Sequence, residues 1–309
     1  MTSAENRCSL CGEPAVVRLT EPERRLCAGH FIEDAETRVL VAMKHDRMIS
    51  PGDRVAVGLS GGGKDSTALL LLLHPPILPP TLGASLVAIT IDEGIAGYRE
   101  ETLRAARDLT GELGVEHAIV TFADLFGKDL DAMLVGREAQ GCTVCGVLRR
   151  RALGEAVKRT GATKLATGHN LDDEAQSVLM NVLRGDLPPA FSRTPRPGSR
   201  ALRPADKTAR RPLREGDRDL PPPPRLLPRP ARVPPLRRDA LRSEVRTMLA
   251  GLEHRHPGTM LRLMRFRDGV RRSARSAEPA KALSTCRICG ELTSGEVCQV
   301  CRLLGRDGE

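Results

Sequence analysis

The stretch Arg54-Val-Ala-Val-Gly-Leu-Ser-Gly-Gly-Gly-Lys-Asp-Ser66 constrains the fold more than any other part of the chain. A short β-branched run passes through three consecutive glycines into the unbroken apolar run that ends at Leu73. That order reads as strand, anion-cradling loop and helix. Glycines let backbone amides approach phosphate oxygens, and a helix N-terminus adds donors and a positive field. The spacing Gly58-x4-Gly63-Lys64 fits a Walker A loop, but such a loop needs Ser or Thr next to bind magnesium, and Asp65 stands there. A Walker NTPase is therefore disfavoured.

From Asp53 to about Asp186 apolar strands alternate with amphipathic helices, the pattern of an α/β fold built on an open parallel sheet. Strands are expected at Arg54–Leu59, Leu86–Ile91 and Lys164–Thr167, and helices at Ser66–Leu73, Arg99–Leu113, Val147–Thr160 and Asp172–Arg184. Asp92 and Glu93 then sit at the carboxyl end of one strand, where open α/β sheets bind ligands. Thr167-Gly-His-Asn-Leu-Asp-Asp-Glu174 leaves another strand and opens another helix. His169 and Asn170 can hydrogen-bond a nucleotide, and Asp172 or Asp173 can hold Mg²⁺ or assist proton transfer. The same Asp pair could equally cap the helix.

Eight of the nine cysteines fall in C-x2-C pairs. The segment before Ser9 is polar and no apolar run is long enough to cross a bilayer, so the chain reads as soluble, cytoplasmic and independent of membranes. In that setting paired cysteines signal metal, not disulfides. Cys286-x2-Cys289-x8-Cys298-x2-Cys301 and Cys8-x2-Cys11-x15-Cys27-x2-His30 each have the ligand spacing of a closed, four-ligand structural zinc site. Two zinc ions are expected, folding short segments that lack a core of their own.

Lys and Arg number 48 against 39 Asp and Glu, a formal charge of +9 that suits a polyanion such as RNA. With no Trp, one Tyr and five Phe, an aromatic platform for splayed bases is not expected, and phosphate contacts should dominate any RNA binding. Five segments follow: an N-terminal zinc module at 1–33, the nucleotide-binding domain at 34–186 with a connecting helix over 34–50, a Pro/Arg-rich stretch at 187–239, a helical end of the core at 240–275, and a zinc ribbon at 283–309. Residues 187–239 hold 14 of the 23 prolines and keep no helical or strand period. They read as a Pro-rich linker.

The loop Ser60–Ser66 resembles the SGG-x-DS signature of the PP-loop ATP pyrophosphatases, with one glycine more than the pattern asks. Further stretches narrow the likeness. They are Asp92-Glu-Gly-Ile-Ala-Gly-Tyr-Arg99, Gly141-Cys-Thr-Val-Cys-Gly146 running on to Arg151, Gly168-His-Asn-Leu-Asp-Asp-Glu-Ala175, and Leu241-Arg-Ser-Glu-Val-Arg246 followed by His256-Pro-Gly-Thr259. With both cysteine sets, they resemble the tRNA 2-thiouridine synthetase group, which includes cytoplasmic tRNA 2-thiolation proteins and tRNA-5-methyluridine 2-sulfurtransferases. The family resemblance that the rest of the chain carries fails near residue 188 and resumes near residue 240, and those edges suggest two compensating frameshifts.

The resemblance implies ATP-dependent adenylation of the uridine C2 oxygen, cleavage of ATP to AMP and pyrophosphate, and displacement of the activated oxygen by sulfur. It implies that Ser60, Gly61, Gly62, Gly63, Lys64, Asp65 and Ser66 hold pyrophosphate, with Asp92, Gly168, His169 and Asp173 completing the ATP and Mg²⁺ site. Asp172, Cys142, Cys145 and Arg149 become the catalytic candidates, Arg149 handling nucleotide or RNA. The implied partners are tRNA, a ubiquitin-like sulfur carrier ending in a thiocarboxylate, and a second copy of the chain. A [4Fe–4S] cluster on three cysteines is also implied, with Cys142 and Cys145 as the first two ligands. The third should precede the Leu241–Arg246 helix, yet no cysteine lies between Cys145 and Cys286. Two other readings stay open: a non-catalytic member that only binds tRNA or a partner, and an adenylating ligase or amidotransferase of the same fold.

Overall fold

The computed structural model describes residues 6–20, 23–61, 63–75, 78, 80–185, 201–202, 241–274 and 284–306. Gly62 and nearly all of the Pro/Arg-rich stretch therefore lie outside the described residues. The exception is Ala201–Leu202, which adds two residues to the edge of the main sheet.

Strand β1 (Val17–Thr20) and strand β2 (Glu23–Leu26) form an antiparallel hairpin that leads into helix α1 (Ala28–His45). This helix starts six residues before the expected connecting helix, so His30 falls in its first turn. The main sheet contains β3 (Arg54–Gly58), β4 (Ser85–Asp92), β5 (Glu116–Thr121), β6 (Lys164–Thr167) and β7 (Ala201–Leu202) in the order β5-β4-β3-β6-β7. Every neighbouring pair is parallel. The helices between them are α2 (Lys64–Leu73), α3 (Arg99–Glu112), the short α4 (Phe122–Phe126) and α5 (Leu130–Leu134), α6 (Gly141–Arg159) and α7 (Leu171–Leu183).

The three expected strands form within one residue of their limits. β5 is the addition: its residues are mostly half-buried and alternate weakly, so the period-2 signal is faint. Central β3 is apolar on both faces because both are covered. Val55 and Val57 pack with Leu69, Leu70, Leu73, Val39 and Met43 on one side, and Ala56 packs with Val87, Ile89, Leu148 and Ala152 on the other.

Helix α6 begins six residues before its expected start, which places Cys142 and Cys145 on its first turns and not in a loop. Val144, Leu148, Ala152 and Ala156 give it a buried face one helical repeat apart. A third cluster lies beyond the sheet, where α7 packs on α8 (Leu241–Arg255) and α9 (Thr259–Ala274) through Leu171, Val178, Val245, Leu249, Met260 and Met264. The chain then forms strands β8 (Ser284–Thr285) and β9 (Leu292–Thr293) and helix α10 (Gln299–Leu303). No helix among the described residues is long and apolar enough to cross a membrane.

Candidate active site

In this strand order β3 leads to β4 on one side and β6 leads to β7 on the other, so the connections after β3 and β6 diverge and open a crevice. Gly58 and Thr167 are register partners at its lip. The phosphate loop enters from β3, the Gly168–Asp173 turn from β6, and Asp92 from the end of β4. The sequence motifs thus converge on one edge of the sheet.

The phosphate loop is closed by its own serines. Ser60 and Ser66 hydroxyls stand 2.8 Å apart, the Ser60 amide donates to Ser66 Oγ at 3.2 Å, and Ser66 Oγ donates to the Gly63 carbonyl at 3.1 Å. Two glycines are required by space. Gly61 has φ +67, and a Cβ there would stand 2.0 Å from the Thr102 carbonyl oxygen; at Gly63 it would stand 2.1 Å from Ser60 Oγ. Lys64 and Asp65 open α2, with Gly63 as its cap residue. Gly168 presses on this helix start from the β6 side, where a Cβ would come within 2.7 Å of the Ser66 amide nitrogen. The two loops are in backbone contact, and that contact sets the crevice floor.

Helix α7 opens with a capping box. Asn170 Oδ1 accepts the Asp173 amide at 3.0 Å and the Asp173 carboxylate accepts the Asn170 amide at 3.3 Å. Asp173 thus serves its helix, whereas Asp172 is exposed toward the crevice. Partial desolvation, then the like charges of Asp173 and Asp65, push the Asp172 carboxyl up, against the opposing pull of Lys64. His169 is also exposed, its Nδ1 2.8 Å from Thr167 Oγ1.

Asp92 accepts the Gly94 amide at 2.9 Å and lies 3.7 Å from Arg99 Nε. Beside it runs a chain of charge, buried at Glu93 and Arg99, whose pairing the sequence does not show. Arg99 reaches the Ser60 carbonyl at 3.4 Å, donates to the Ile91 carbonyl, and stands 3.0 Å from Glu93 Oε2. The other oxygen of Glu93 accepts Arg149 Nε at 2.6 Å, and Arg149 Nη2 lies 3.1 Å from Cys145 Sγ. Sequence reasoning placed Glu93 at the strand end without a role and gave Arg99 none. The available signal was two opposite charges flanking an apolar strand end, which cannot remain unpaired once buried. Burial works against the Arg149 charge, but Glu93 and Cys145 outweigh it and hold the guanidinium protonated more firmly than usual. The phosphate loop and the cysteine helix are therefore joined by four side chains in series.

The two terminal cysteine sets assemble as tetrads whose ligand atoms lie within 4.8 Å of one another: Cys8, Cys11, Cys27 and His30, and Cys286, Cys289, Cys298 and Cys301. Both use one plan. A knuckle turn follows the first pair, with Gly12 at φ +77 and Gly290 at φ +71, and the second pair sits at the cap and third residue of a helix, α1 or α10. Backbone amides of Cys27, Leu10 and Cys11 overcome burial and bring the Cys8 thiol down to about 6. The Cys298 amide leads the same effect at Cys286, also to about 6. In the same sets burial pushes the Cys301 thiol up, and at Cys11 the Glu13 amide is outweighed by burial and the neighbouring Cys8 and Cys27 thiols, so full deprotonation of either tetrad needs a bound cation. Of the cluster ligands, the site brings together Cys142, exposed, and Cys145, half-buried. The other seven cysteines belong to the tetrads, so two thiols stand where a three-cysteine cluster needs three.

The PP-loop domain family matches residues 33–218. The tRNA 2-thiolation protein NcsA of Haloferax volcanii is 35% identical over 319 residues, covering 96% of this chain and 98% of that protein. Cytoplasmic tRNA 2-thiolation protein 1 of Bos taurus is 36% identical, with 96% and 87% covered. The solved U34-tRNA thiolase NcsA from Methanococcus maripaludis, with its [4Fe–4S] cluster, superposes with a TM-score of 0.76 at 28% identity over 98% of this chain and 97% of that one. The sheet order, the glycine-built phosphate loop and these similarities agree: the chain belongs to the tRNA 2-thiolation branch of the PP-loop proteins.

Proposed function

We propose that this protein is an ATP-dependent tRNA sulfurtransferase that adenylates the C2 oxygen of a uridine and replaces that oxygen with sulfur. The observation that carries the reading is the single edge of the sheet shared by the phosphate loop, Asp172 and the Cys142/Cys145 pair. The loop from Ser60 to Ser66, with Gly62 among its members, takes the pyrophosphate of ATP through backbone amides and the N-terminus of α2. Asp92, Gly168, His169 and Asp173 frame the nucleotide, Asp173 by holding the α7 cap in place. Asp172 faces the phosphates and serves as the Mg²⁺ ligand or the proton acceptor. The uridine C2 oxygen attacks the α-phosphorus, the α–β bond breaks, and pyrophosphate leaves.

Oxygen at C2 is a poor leaving group; as part of AMP it is a good one. Hydrosulfide sulfur then attacks C2, the C2–O bond breaks, AMP departs with the former C2 oxygen, and the sulfur loses its proton. Cys142 and Cys145 hold the incoming sulfur beside the base, with the Arg149 guanidinium stabilising negative charge on it. The two thiols present do not match a three-cysteine [4Fe–4S] cluster, so no step is assigned to one, and the pair positions the hydrosulfide by hydrogen bonding without forming a bond to it. A ubiquitin-like thiocarboxylate protein is the proposed sulfur carrier, Zn²⁺ the proposed ion in each tetrad, a homodimer the proposed assembly and the cytoplasm the proposed compartment. The relatives' names support the compartment. Uridine 34, named for the Methanococcus thiolase, is the first position to assay.

A specific observation favours a second reading, a tRNA-binding member without chemistry: the chain has two thiols where the family resemblance implies three. Exchange of labelled pyrophosphate into ATP, with and without tRNA, separates the two. Stimulation by tRNA together with thiolated product supports the enzyme, and tRNA binding without exchange supports the binding protein.

A further inference from the structure

Helices α8 and α9 carry a share of the charge out of proportion to their length. Residues 241–274 contain eight arginines against three carboxylates, five of the nine surplus positive charges of the chain. The carboxylates are largely occupied. Glu253 accepts the Gly258 and Met260 amides at 2.7 and 2.9 Å, which caps α9, and Asp268 pairs with Arg267. On α9 the buried side is Met260, Met264 and Arg267. Arg262, Arg265, Phe266 and Arg272 are exposed at helical spacings of three, four and seven residues, hence on one face. Phe266 is 56% exposed, an apolar ring among guanidinium groups. Arg262 is steadied by the His256 and Pro257 carbonyls and the Thr259 hydroxyl. No carboxylate pairs with Arg265 or Arg272 among the described residues.

This face has a fixed position relative to the crevice. Arg267, only 7% exposed in its side chain, donates to Glu174 at 3.0 Å, and Glu174 lies two residues after Asp172 in the first turn of α7. The shared apolar cluster of α7, α8 and α9 makes the three helices one unit. We propose that the Arg262–Arg265–Phe266–Arg272 face of α9 is the docking surface for the RNA substrate, its arginines on consecutive backbone phosphates and Phe266 stacked on an unpaired base. Charge complementarity selects RNA as the occupant. Guanidinium groups pair with phosphate oxygens bidentately, and one ring between them suits a splayed base in a loop. The composition left little room for aromatic stacking, yet one of the five phenylalanines lies where it can be used.

The inference rests on the tRNA reading above, and its test separates the two. Binding of an unmodified tRNA transcript to the full chain is titrated across several salt concentrations, beside the variants Arg265→Glu/Arg272→Glu, Arg265→Gln/Arg272→Gln and Phe266→Ala. Both double variants are expected to weaken binding by more than about tenfold at low salt and to reduce the log–log salt slope by about two, one for each phosphate left without its arginine. Phe266→Ala is expected to weaken binding by about tenfold with the slope unchanged. ATP affinity should remain that of the wild type in all three. Wild-type RNA affinity in the variants overturns the surface and leaves the enzyme reading intact. Weakened self-association with RNA affinity unchanged also overturns it, making the face an interface between copies. Failure of the unaltered protein to bind tRNA at any salt overturns the tRNA reading itself.

Discussion

Glu93 and Arg149 meet at 2.6 Å with the carboxylate 3% exposed and the guanidinium 41% exposed. The buried member has a second partner in Arg99, while the exposed one reaches the Cys145 sulfur. The two ends of the pair should therefore fail differently. Glu93→Gln leaves buried Arg99 with only the more distant Asp92 carboxylate at 3.7 Å and is expected to cost about 3 kcal/mol of stability. Arg149→Met keeps the Glu93–Arg99 pair and should cost about 1 kcal/mol, since the guanidinium it removes is half solvated. It should nevertheless depress sulfur transfer while pyrophosphate exchange continues. Urea unfolding read beside both assays checks this, and normal thiolation by Arg149→Met would remove Arg149 from the sulfur step.

The raised Asp172 carboxyl predicts a pH dependence. Its charged form is disfavoured in the fold, so activity that needs the carboxylate should be lost on acidification earlier than for an ordinary Asp. Lys64 lowers this pKa and Asp65 raises it. Replacing Lys64 by Gln should move the acid limb of pyrophosphate exchange to higher pH, and Asp65→Asn should move it lower. Both variants will also lose phosphate affinity, so the limb is read at saturating ATP. Limbs moving the same way would show that Asp172 does not set it.

Gly168→Ala tests the backbone contact between the two loops. An added methyl would stand 2.7 Å from the Ser66 amide nitrogen and 2.8 Å from the Asp65 carbonyl carbon. Backbone cannot swing aside as a side chain can, so the phosphate loop should shift. ATP affinity is expected to fall by tenfold or more, the equivalent of about 1.4 kcal/mol. Calorimetric titration with a non-hydrolysable ATP analogue reports it, and an unchanged affinity would mean that the loops move independently.

Acid should release metal from both tetrads. Cys8 and Cys286 have thiols lowered to about 6. The thiolate form is therefore present above that value and is lost as pH falls through it. Metal-dependent stability is expected to weaken steadily as pH falls, because the raised Cys11 and Cys301 thiols already compete for protons, and most steeply below about 6, where Cys8 and Cys286 take up protons as well. Zinc release followed with a chromophoric chelator should yield two equivalents per chain, and Cys298→Ser should remove one.

The parts of the protein that were legible in the sequence are those in which one residue's chemistry dictates its neighbours. Three glycines between a β-branched strand and a leucine run admit little besides a phosphate loop, and cysteine spacing fixed both tetrads. The end of α6 was legible and its start was not. Val144 and Leu148 carry the buried period, but Gly141 and the cysteines have low helix propensity and masked the first turns. The Glu93–Arg99–Arg149 series stayed hidden for another reason. Its members are 6 and 50 positions apart, and only the folded sheet edge brings them together.

The C-terminal tetrad is not a loose appendage. Glu291, in the knuckle turn after Cys289, pairs with Arg151 at 2.7 Å and also with Lys158, both on α6, while Val300, Leu303 and Leu304 pack into the core behind that helix. The C-terminal cysteine tetrad therefore braces the second half of the helix whose first turns carry the thiol pair. A partner gripping the ribbon, or an affinity tag crowding Arg306, bears on the same helix that presents Cys142 and Cys145 to the substrate. Protein truncated ahead of Ser284 should accordingly be judged by its sulfur chemistry as well as by its solubility.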